Sequence, residues 1–113
     1  MQPENGNAQS NLAWVFATHP EESVRNGTRA VQLAEQALKL SRNKNPIIFR
    51  TLAAAYAESG RFSEAVDTAE RGLKLATEQG NTALANEFPS YIHLYRAGKP
   101  FRDSSLTNGH SSP

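Results

Sequence analysis

An eleven-residue segment occurs twice in this chain, and this repetition constrains the fold more than any other feature of the sequence. Residues 30–40 are AVQLAEQALKL and residues 65–75 are AVDTAERGLKL, and seven of the eleven positions are identical. The two copies lie 35 residues apart. A repeat of this period predicts two copies of one small unit that stack on each other, because a single unit cannot cover its own apolar face.

A weaker match precedes each copy. The matched positions are Leu12, Ala13 and Ala17 in the first unit and Leu52, Ala53 and Ala57 in the second. These pairs are offset by 40 residues rather than 35, so the first unit carries five extra residues within the stretch 18–28. We therefore expect a long loop in the first unit where the second has a short turn.

Each half of a unit has the apolar spacing of an amphipathic helix. In the second unit the two stripes are Phe49, Leu52, Ala53 and Tyr56, and then Phe62, Ala65, Val66, Ala69 and Leu73. Gly60 lies between the stripes, where a left-handed residue would end the first helix. A helical hairpin is therefore predicted for each unit.

Helix ends are marked by capping residues and prolines. Asn45 followed by Pro46 predicts the start of one helix, and Thr28 is a candidate cap for another. A last helix is expected over residues 82–97, where Pro89 should kink or split it. The chain is therefore expected to be all-α, with about five helices.

The hairpin pattern resembles the tetratricopeptide repeat (TPR) family, whose unit is a helix pair of about 34 residues. The first helix of the family's pattern has a bulky residue, a Leu, a small residue and an aromatic residue. In this chain these positions are Phe49, Leu52, Ala53 and Tyr56. Ala65 fits the small residue of the second helix, whereas Ala69 replaces an aromatic residue. The first unit resembles the pattern through Leu12, Ala13, Phe16, Ala30, Ala34 and Ala37. The resemblance implies stacked antiparallel hairpins in a right-handed superhelix. The part of the family that this chain resembles is a C-terminal pair of repeats closed by a capping helix.

Small residues on the second helices would let the helices approach closely, and large residues on the first helices would fill the remaining gaps. The residues expected to pack the repeats are Leu12, Ala13, Phe16, Ala30, Ala34, Phe49, Leu52, Ala53, Tyr56, Phe62, Ala65, Ala69 and Leu73. The expected domain organisation is a disordered tail over 1–10, a TPR-like domain over 11–102 and a disordered tail over 103–113. Within the domain, the repeats are 11–41 and 46–79, and the capping helix is 82–97.

Composition excludes several classes of function. The chain has no cysteine, which rules out thiolate metal sites and disulfides and fits a reducing, cytoplasmic location. A net charge of +1 without a basic cluster gives no footprint for nucleic acid, and no segment predicts a signal peptide or membrane insertion. The histidines His19, His93 and His110 are too scattered for a metal site or a catalytic pair. No catalytic residue, metal or cofactor is predicted, and an enzyme is not expected.

In the TPR family the first helix of each hairpin lines a concave groove that binds a partner. The resemblance implies that the groove here is formed by Trp14, Ile47, Arg50, Thr51, Ala54, Ala57 and Glu58, joined by His93 and Arg96. Members of the family that bind the carboxylate of a chaperone tail have an Asn directly after the Leu-small pair. This chain has Trp14 and Ala54 at those positions, so binding of such a carboxylate is not expected. Two interpretations of Trp14 stay open, because it would serve equally as a groove anchor or as a packed aromatic residue.

The leading hypothesis is a non-catalytic protein-interaction or scaffolding module that binds a protein or peptide in this groove. The alternatives are a C-terminal repeat segment of a larger membrane or glycosyltransferase-like enzyme, and a self-association module. Self-association would use the open N-terminal end, where Leu12, Val15 and Phe16 lack a preceding hairpin, to form a homo-oligomer.

Overall fold

Residues 6–107 are described by a computed structural model, in which the chain is all-α with about five helices, as the sequence predicts. The α-helices are α1 (Asn7–Thr18), α2 (Gly27–Leu40), α3 (Pro46–Glu58), α4 (Phe62–Glu78), α5 (Thr82–Ala85) and α6 (Phe88–Arg96). A 3₁₀ turn, Ser104–Thr107, follows them. Helix α5 is a single turn of four residues, and the other five helices have nine or more.

Consecutive helices pack in pairs that correspond to the two repeat units. Helix α1 packs against α2 and α3 against α4, while both α1 and α2 contact α3, and α4 contacts α5 and α6. The connection between α1 and α2 has eight residues, 19–26, whereas the connection between α3 and α4 has three, 59–61. The five extra residues expected in the first unit therefore form a longer loop.

The predicted start and end of α3 are confirmed. The Asn45 side chain accepts a hydrogen bond from the backbone N–H of Ile47, and Pro46 follows in the first turn. Gly60 has a φ of 79°, the left-handed conformation that ends the helix without the steric cost of a side chain.

The predicted cap of α2 is wrong. Helix α2 begins at Gly27, one residue before Thr28, and the Asn26 side chain accepts the capping hydrogen bond from the Arg29 backbone N–H. Asn and Thr are both good capping residues and lie two positions apart here, so local preference alone could not separate them.

Alanine dominates the interior of the domain. Of the 21 buried apolar residues in the described range, 12 are Ala, which lets neighbouring helices approach closely. Eight of the expected packing residues are buried: Ala13, Ala30, Ala34, Phe49, Leu52, Ala53, Ala65 and Ala69. Phe16, Tyr56, Phe62 and Leu73 are partly buried against the same interior.

Leu12 departs from its expected packing role. It is 44% exposed, because the buried side of α1 is formed by Ser10, Ala13 and Ala17. The Ser10 hydroxyl donates a hydrogen bond to Thr51 Oγ1 at 2.9 Å, so a polar contact lies between α1 and α3.

The folded region extends beyond both expected boundaries. Helix α1 begins at Asn7 rather than near residue 11, and Ser10 is buried, so residues 6–10 are not a tail. At the other end, Asp103 donates its backbone N–H to the Thr18 carbonyl at 2.9 Å and precedes the 3₁₀ turn. The remaining parts of the expected tails, 1–5 and 108–113, lie outside the described residues.

The last predicted helix is split, as Pro89 suggested. Helix α5 ends at Ala85, and α6 begins at Phe88 with Pro89 in its first turn, where a missing N–H leaves no helical hydrogen bond unmade. The split places Phe88 in the interior, with no exposed surface.

Gly72 of α4 provides the space that the Phe88 ring occupies. A Cβ atom at this position would lie 2.7 Å from Phe88 Cζ and 2.8 Å from Phe49 Cβ. Alanine would gain about 1 kcal/mol of helix propensity, but overpacking costs about 1–3 kcal/mol. We expect Gly72→Ala to lower the free energy of unfolding in urea, and Gly72→Val to lower it further. Thr77→Ala, at an exposed position of the same helix, is the control, and a stabilised Gly72→Ala protein would contradict this packing.

Candidate functional site

Trp14 of α1 is surrounded by side chains from two other helices. The ring of Tyr91, on α6, meets the Trp14 ring edge-on at a centroid distance of 6.4 Å. The guanidinium carbon of Arg50, on α3, lies 4.5 Å from the Trp14 ring centroid, within the range of a cation–π contact. We call the surface formed by Trp14, Arg50 and Tyr91 the inner surface. Helices α1, α3 and α6 each contribute one residue to it.

Glu87 fixes the two polar groups of the inner surface. Its Oε1 atom accepts hydrogen bonds from Arg50 Nη1 at 2.9 Å and from the Tyr91 hydroxyl at 3.0 Å. Burial raises the pKa of Tyr91 to about 12, against the opposing effect of the Arg50 charge. The hydroxyl therefore stays protonated near neutral pH and remains a hydrogen-bond donor.

A short segment after α6, residues 99–103, crosses the inner surface without regular secondary structure. Phe101 packs against two aromatic rings, with centroid distances of 5.6 Å to Trp14 and 5.0 Å to Tyr91. The Trp14 indole N–H donates a hydrogen bond of 2.8 Å to Asp103 Oδ2. The segment is therefore held by side-chain contacts to α1 and α6 together with the backbone bond from Asp103 to Thr18.

Glu58, at the end of α3, binds two arginines at the edge of the inner surface. Its Oε1 atom lies 2.8 Å from Arg102 Nη1, and its Oε2 atom lies 3.2 Å from Arg25 Nε. Arg25 comes from the long loop of the first unit and also donates to the carbonyls of His19 and Pro20. The longer loop of the first unit thus supplies a cation that pairs with the Glu58 carboxylate.

Asp103 is held as a carboxylate. Partial burial by itself would raise its pKa, but hydrogen bonds from Ser105 and Trp14 and the charge of Arg50 together lower the pKa below its usual value. Because the folded-state pKa is depressed, the stabilisation is present above the unfolded-state pKa and is lost as pH falls through the folded-state pKa.

The lowered pKa of Asp103 predicts a change at low pH, which the fluorescence of Trp14 can report because Trp14 is the single tryptophan of the chain. The Trp14 emission is expected to change as the pH falls below the usual pKa of an Asp side chain, because Asp103 becomes protonated there and its bond to the indole weakens. Asp103→Asn should remove this change while leaving the far-ultraviolet circular dichroism intact at neutral pH. An identical pH response in the Asn variant would assign the change to another carboxyl group.

Three of the expected groove residues lie around the segment: Trp14, Arg50 and Glu58. The expectation does not hold for Thr51, Ala54 and Ala57, which are at most 2% exposed and pack between helices. Ile47, another expected groove residue, is 43% exposed in the first turn of α3. Trp14 is half-buried, because aromatic rings pack against it and its indole N–H donates to the side chain of Asp103, as the packed interpretation expects. Its role as a groove anchor stays a prediction.

His93 and Arg96 do not reach the inner surface. They line a shallow depression between α4 and α6, beside Glu70 and Leu73, and Arg96 Nη2 contacts Glu70 Oε2 at 2.5 Å. Tyr91 contacts Trp14 of α1, whereas His93 and Arg96 lie at other angular positions of α6, beside α4.

Several residues of the site were not among the expected groove residues. These are Arg25, Glu87, Tyr91, Phe101, Arg102 and Asp103. The one signal available in the sequence was the aromatic Phe101 in a polar stretch directly after Gly98 and Pro100. Isolated aromatic residues of that kind are candidates for binding contacts.

Comparison of the chain with protein-family models, with curated proteins and with solved structures returned no match. In the described part of the chain, no group of three or more His, Cys, Asp or Glu residues could hold a metal ion. His110 lies outside that part. No helix between residues 6 and 107 is both long enough and apolar enough to cross a membrane.

Proposed function

We propose that this protein is a non-catalytic interaction module of the TPR kind, which binds an extended peptide segment of a protein partner on its inner surface. One observation carries the proposal: a peptide segment, residues 99–103 of the chain itself, already lies on this surface. Aromatic, ionic and backbone contacts hold it there, and these are the contacts by which proteins bind peptides.

The resemblance to TPR proteins supports the same function. The helix pairs follow the repeat units of the sequence, and the two first helices, α1 and α3, supply Trp14 and Arg50. Tryptophan and arginine are the residue types that most often carry the binding energy of an interface. Tyr91 of α6 adds a third side chain of this class.

The charged groups of the site favour binding over catalysis. Each carboxylate there already has a cation or donor: Glu58 has two arginines, Glu87 has Arg50 and Tyr91, and Asp103 has Trp14 and Ser105. A general base needs a free lone pair directed at a substrate proton, together with a nucleophile within hydrogen-bond reach. The groups described here are arranged as ion pairs and hydrogen-bonded partners instead.

A peptide-library selection on the full chain tests the proposal. Peptides that are retained should lose at least about tenfold in affinity on Trp14→Ala or Arg50→Glu, since hot-spot residues contribute about 2 kcal/mol or more. Arg29→Glu, on the exposed side of α2, is the matched control and should bind as the unaltered chain does. Failure to retain any peptide, or binding that both substitutions leave unchanged, would contradict the proposal.

Self-association is a second candidate function, favoured by the exposed Leu12 side chain on α1. A second copy that packs against this helix would bury the Leu12 side chain. Sedimentation analysis of the full chain and of Leu12→Lys tests it, with a concentration-dependent dimer expected only for the unaltered chain. A repeat segment within a larger enzyme stays a prediction that the native reading frame would test.

A further inference from the structure

Residues 101–103 present three different chemistries to three different elements. Phe101 enters the space between Trp14 and Tyr91, Arg102 pairs with Glu58, and Asp103 accepts the Trp14 indole N–H. Consecutive residues thus meet an aromatic pocket, a carboxylate and a hydrogen-bond donor in a fixed order. A surface with this arrangement distinguishes peptides by sequence as well as by shape.

The contacts of the segment are of a replaceable kind. Phe101, Arg102 and Asp103 are all partly exposed, and the Arg102 side chain is 33% exposed. Glu58 keeps its second partner, Arg25, when Arg102 leaves, so release of the segment does not strand a buried carboxylate. The segment follows Gly98, which has a φ of 74° and ends α6. The Lys99 backbone N–H caps this helix by donating to the Leu94 carbonyl, so the contacts of residues 101–103 lie beyond the cap.

We infer that the partner of the inner surface carries an aromatic residue followed directly by a basic and an acidic residue, and that residues 101–103 occupy its place in the free protein. This inference rests on the proposed peptide-binding function. A tethered ligand has an effective concentration of about millimolar, so it competes strongly with a partner added at micromolar concentration. Partner binding therefore requires displacement of the chain's own segment, which lowers the apparent affinity of the unaltered protein.

A labelled peptide with the sequence of residues 98–106, GKPFRDSSL, is the probe. Its binding is measured by fluorescence anisotropy against the full chain, against Phe101→Ala and against Arg102→Glu. The probe should bind both variants at least about tenfold more tightly than the unaltered chain, because each variant weakens the competing segment. Lys99→Ala, at an exposed position of the same segment, is the matched control and should bind as weakly as the unaltered chain.

Peptides changed at single positions test the order of the three chemistries. Replacement of Phe, Arg or Asp by Ala in the probe should each weaken its binding to Phe101→Ala, whereas replacement of Lys should not. Equal binding of the probe to all chains, or equal binding of the altered peptides, would overturn the inference. Circular dichroism shows whether each variant is folded. Arg102→Gln, a more conservative change than Arg102→Glu, repeats the test with a substitution that is less able to unfold the chain.

The outcomes separate this inference from the proposed function. If library peptides bind through Trp14 and Arg50 but the probe does not bind the folded variants, the interaction function stands and the partner chemistry is wrong. If neither library peptides nor the probe bind, the interaction function itself is wrong. A dimer of the unaltered chain that Phe101→Ala abolishes would assign the segment to exchange between two copies, and would overturn the inference of a separate partner.

Discussion

Phe88→Ala is expected to lower the free energy of unfolding by about 3–5 kcal/mol, as for other fully buried aromatic residues. The Phe88 ring has no exposed surface and fills the space above Gly72. Removal of the ring would leave a cavity beside Gly72 and Phe49, and the cost of such a substitution rises with the volume of the cavity that remains. A loss of this size is a large fraction of the roughly 5–15 kcal/mol that stabilises a typical domain.

Urea unfolding followed by circular dichroism measures this effect. His93→Ala, at an exposed position of the same helix, is the control and should change stability little. Phe88 also holds α6 in place, and its ring contacts Tyr91 at a centroid distance of 6.3 Å, so the Trp14 emission should change in Phe88→Ala even before unfolding. A stable Phe88→Ala chain with an unaltered Trp14 spectrum would contradict the described packing of α6.

Glu58→Ala is the second change with a large expected effect. The Glu58 and Arg25 side chains are only 16% and 15% exposed, so removal of the carboxylate leaves Arg25 with little water and no anion. Removing one partner of a buried ion pair costs about 3–5 kcal/mol. Because both side chains keep some exposure, we expect the free energy of unfolding to fall by about 2–3 kcal/mol. The same change frees Arg102 and should loosen the segment over the inner surface.

A graded series separates charge from packing at this position. Glu58→Gln keeps the shape and a hydrogen-bond acceptor, and should fall between the unaltered chain and Glu58→Ala in urea unfolding. Glu64→Ala removes an exposed partner of Arg61 and should leave the midpoint unchanged, since exposed ion pairs contribute little. Equal stability of Glu58→Ala and Glu64→Ala would show that the Glu58 cluster does not stabilise the fold.

The helices and their order could be predicted because each depends on short-range patterns. The repeat at residues 30–40 and 65–75 marks α2 and α4, and the different offsets of the preceding segments predicted that the connection in the first unit is five residues longer than in the second. Gly60, Pro46 and Pro89 act within one turn of the chain, so their effects follow from local backbone chemistry.

Only part of the site could be predicted from the sequence, because its contacts join distant parts of the chain. Trp14 and Asp103 are 89 residues apart, and no periodicity relates them. Asp103 lies in a polar, Ser-rich stretch whose composition favours a tail, and its contacts with Thr18 and Trp14 join it to a distant part of the chain. Helical spacing placed Thr51, Ala54 and Ala57 beside Arg50, but it could not show that neighbouring helices cover these positions of α3.

The indole N–H resonance of Trp14 provides the most direct test that a partner peptide binds on the inner surface in place of residues 99–103. It is a single resonance, since the chain has one tryptophan, and its hydrogen bond to Asp103 makes it sensitive to the segment. Titration with a selected peptide is predicted to shift this resonance and to speed exchange of the Asp103 backbone amide, which is bonded to the Thr18 carbonyl. Saturable peptide binding that leaves both signals unchanged would contradict binding at this surface.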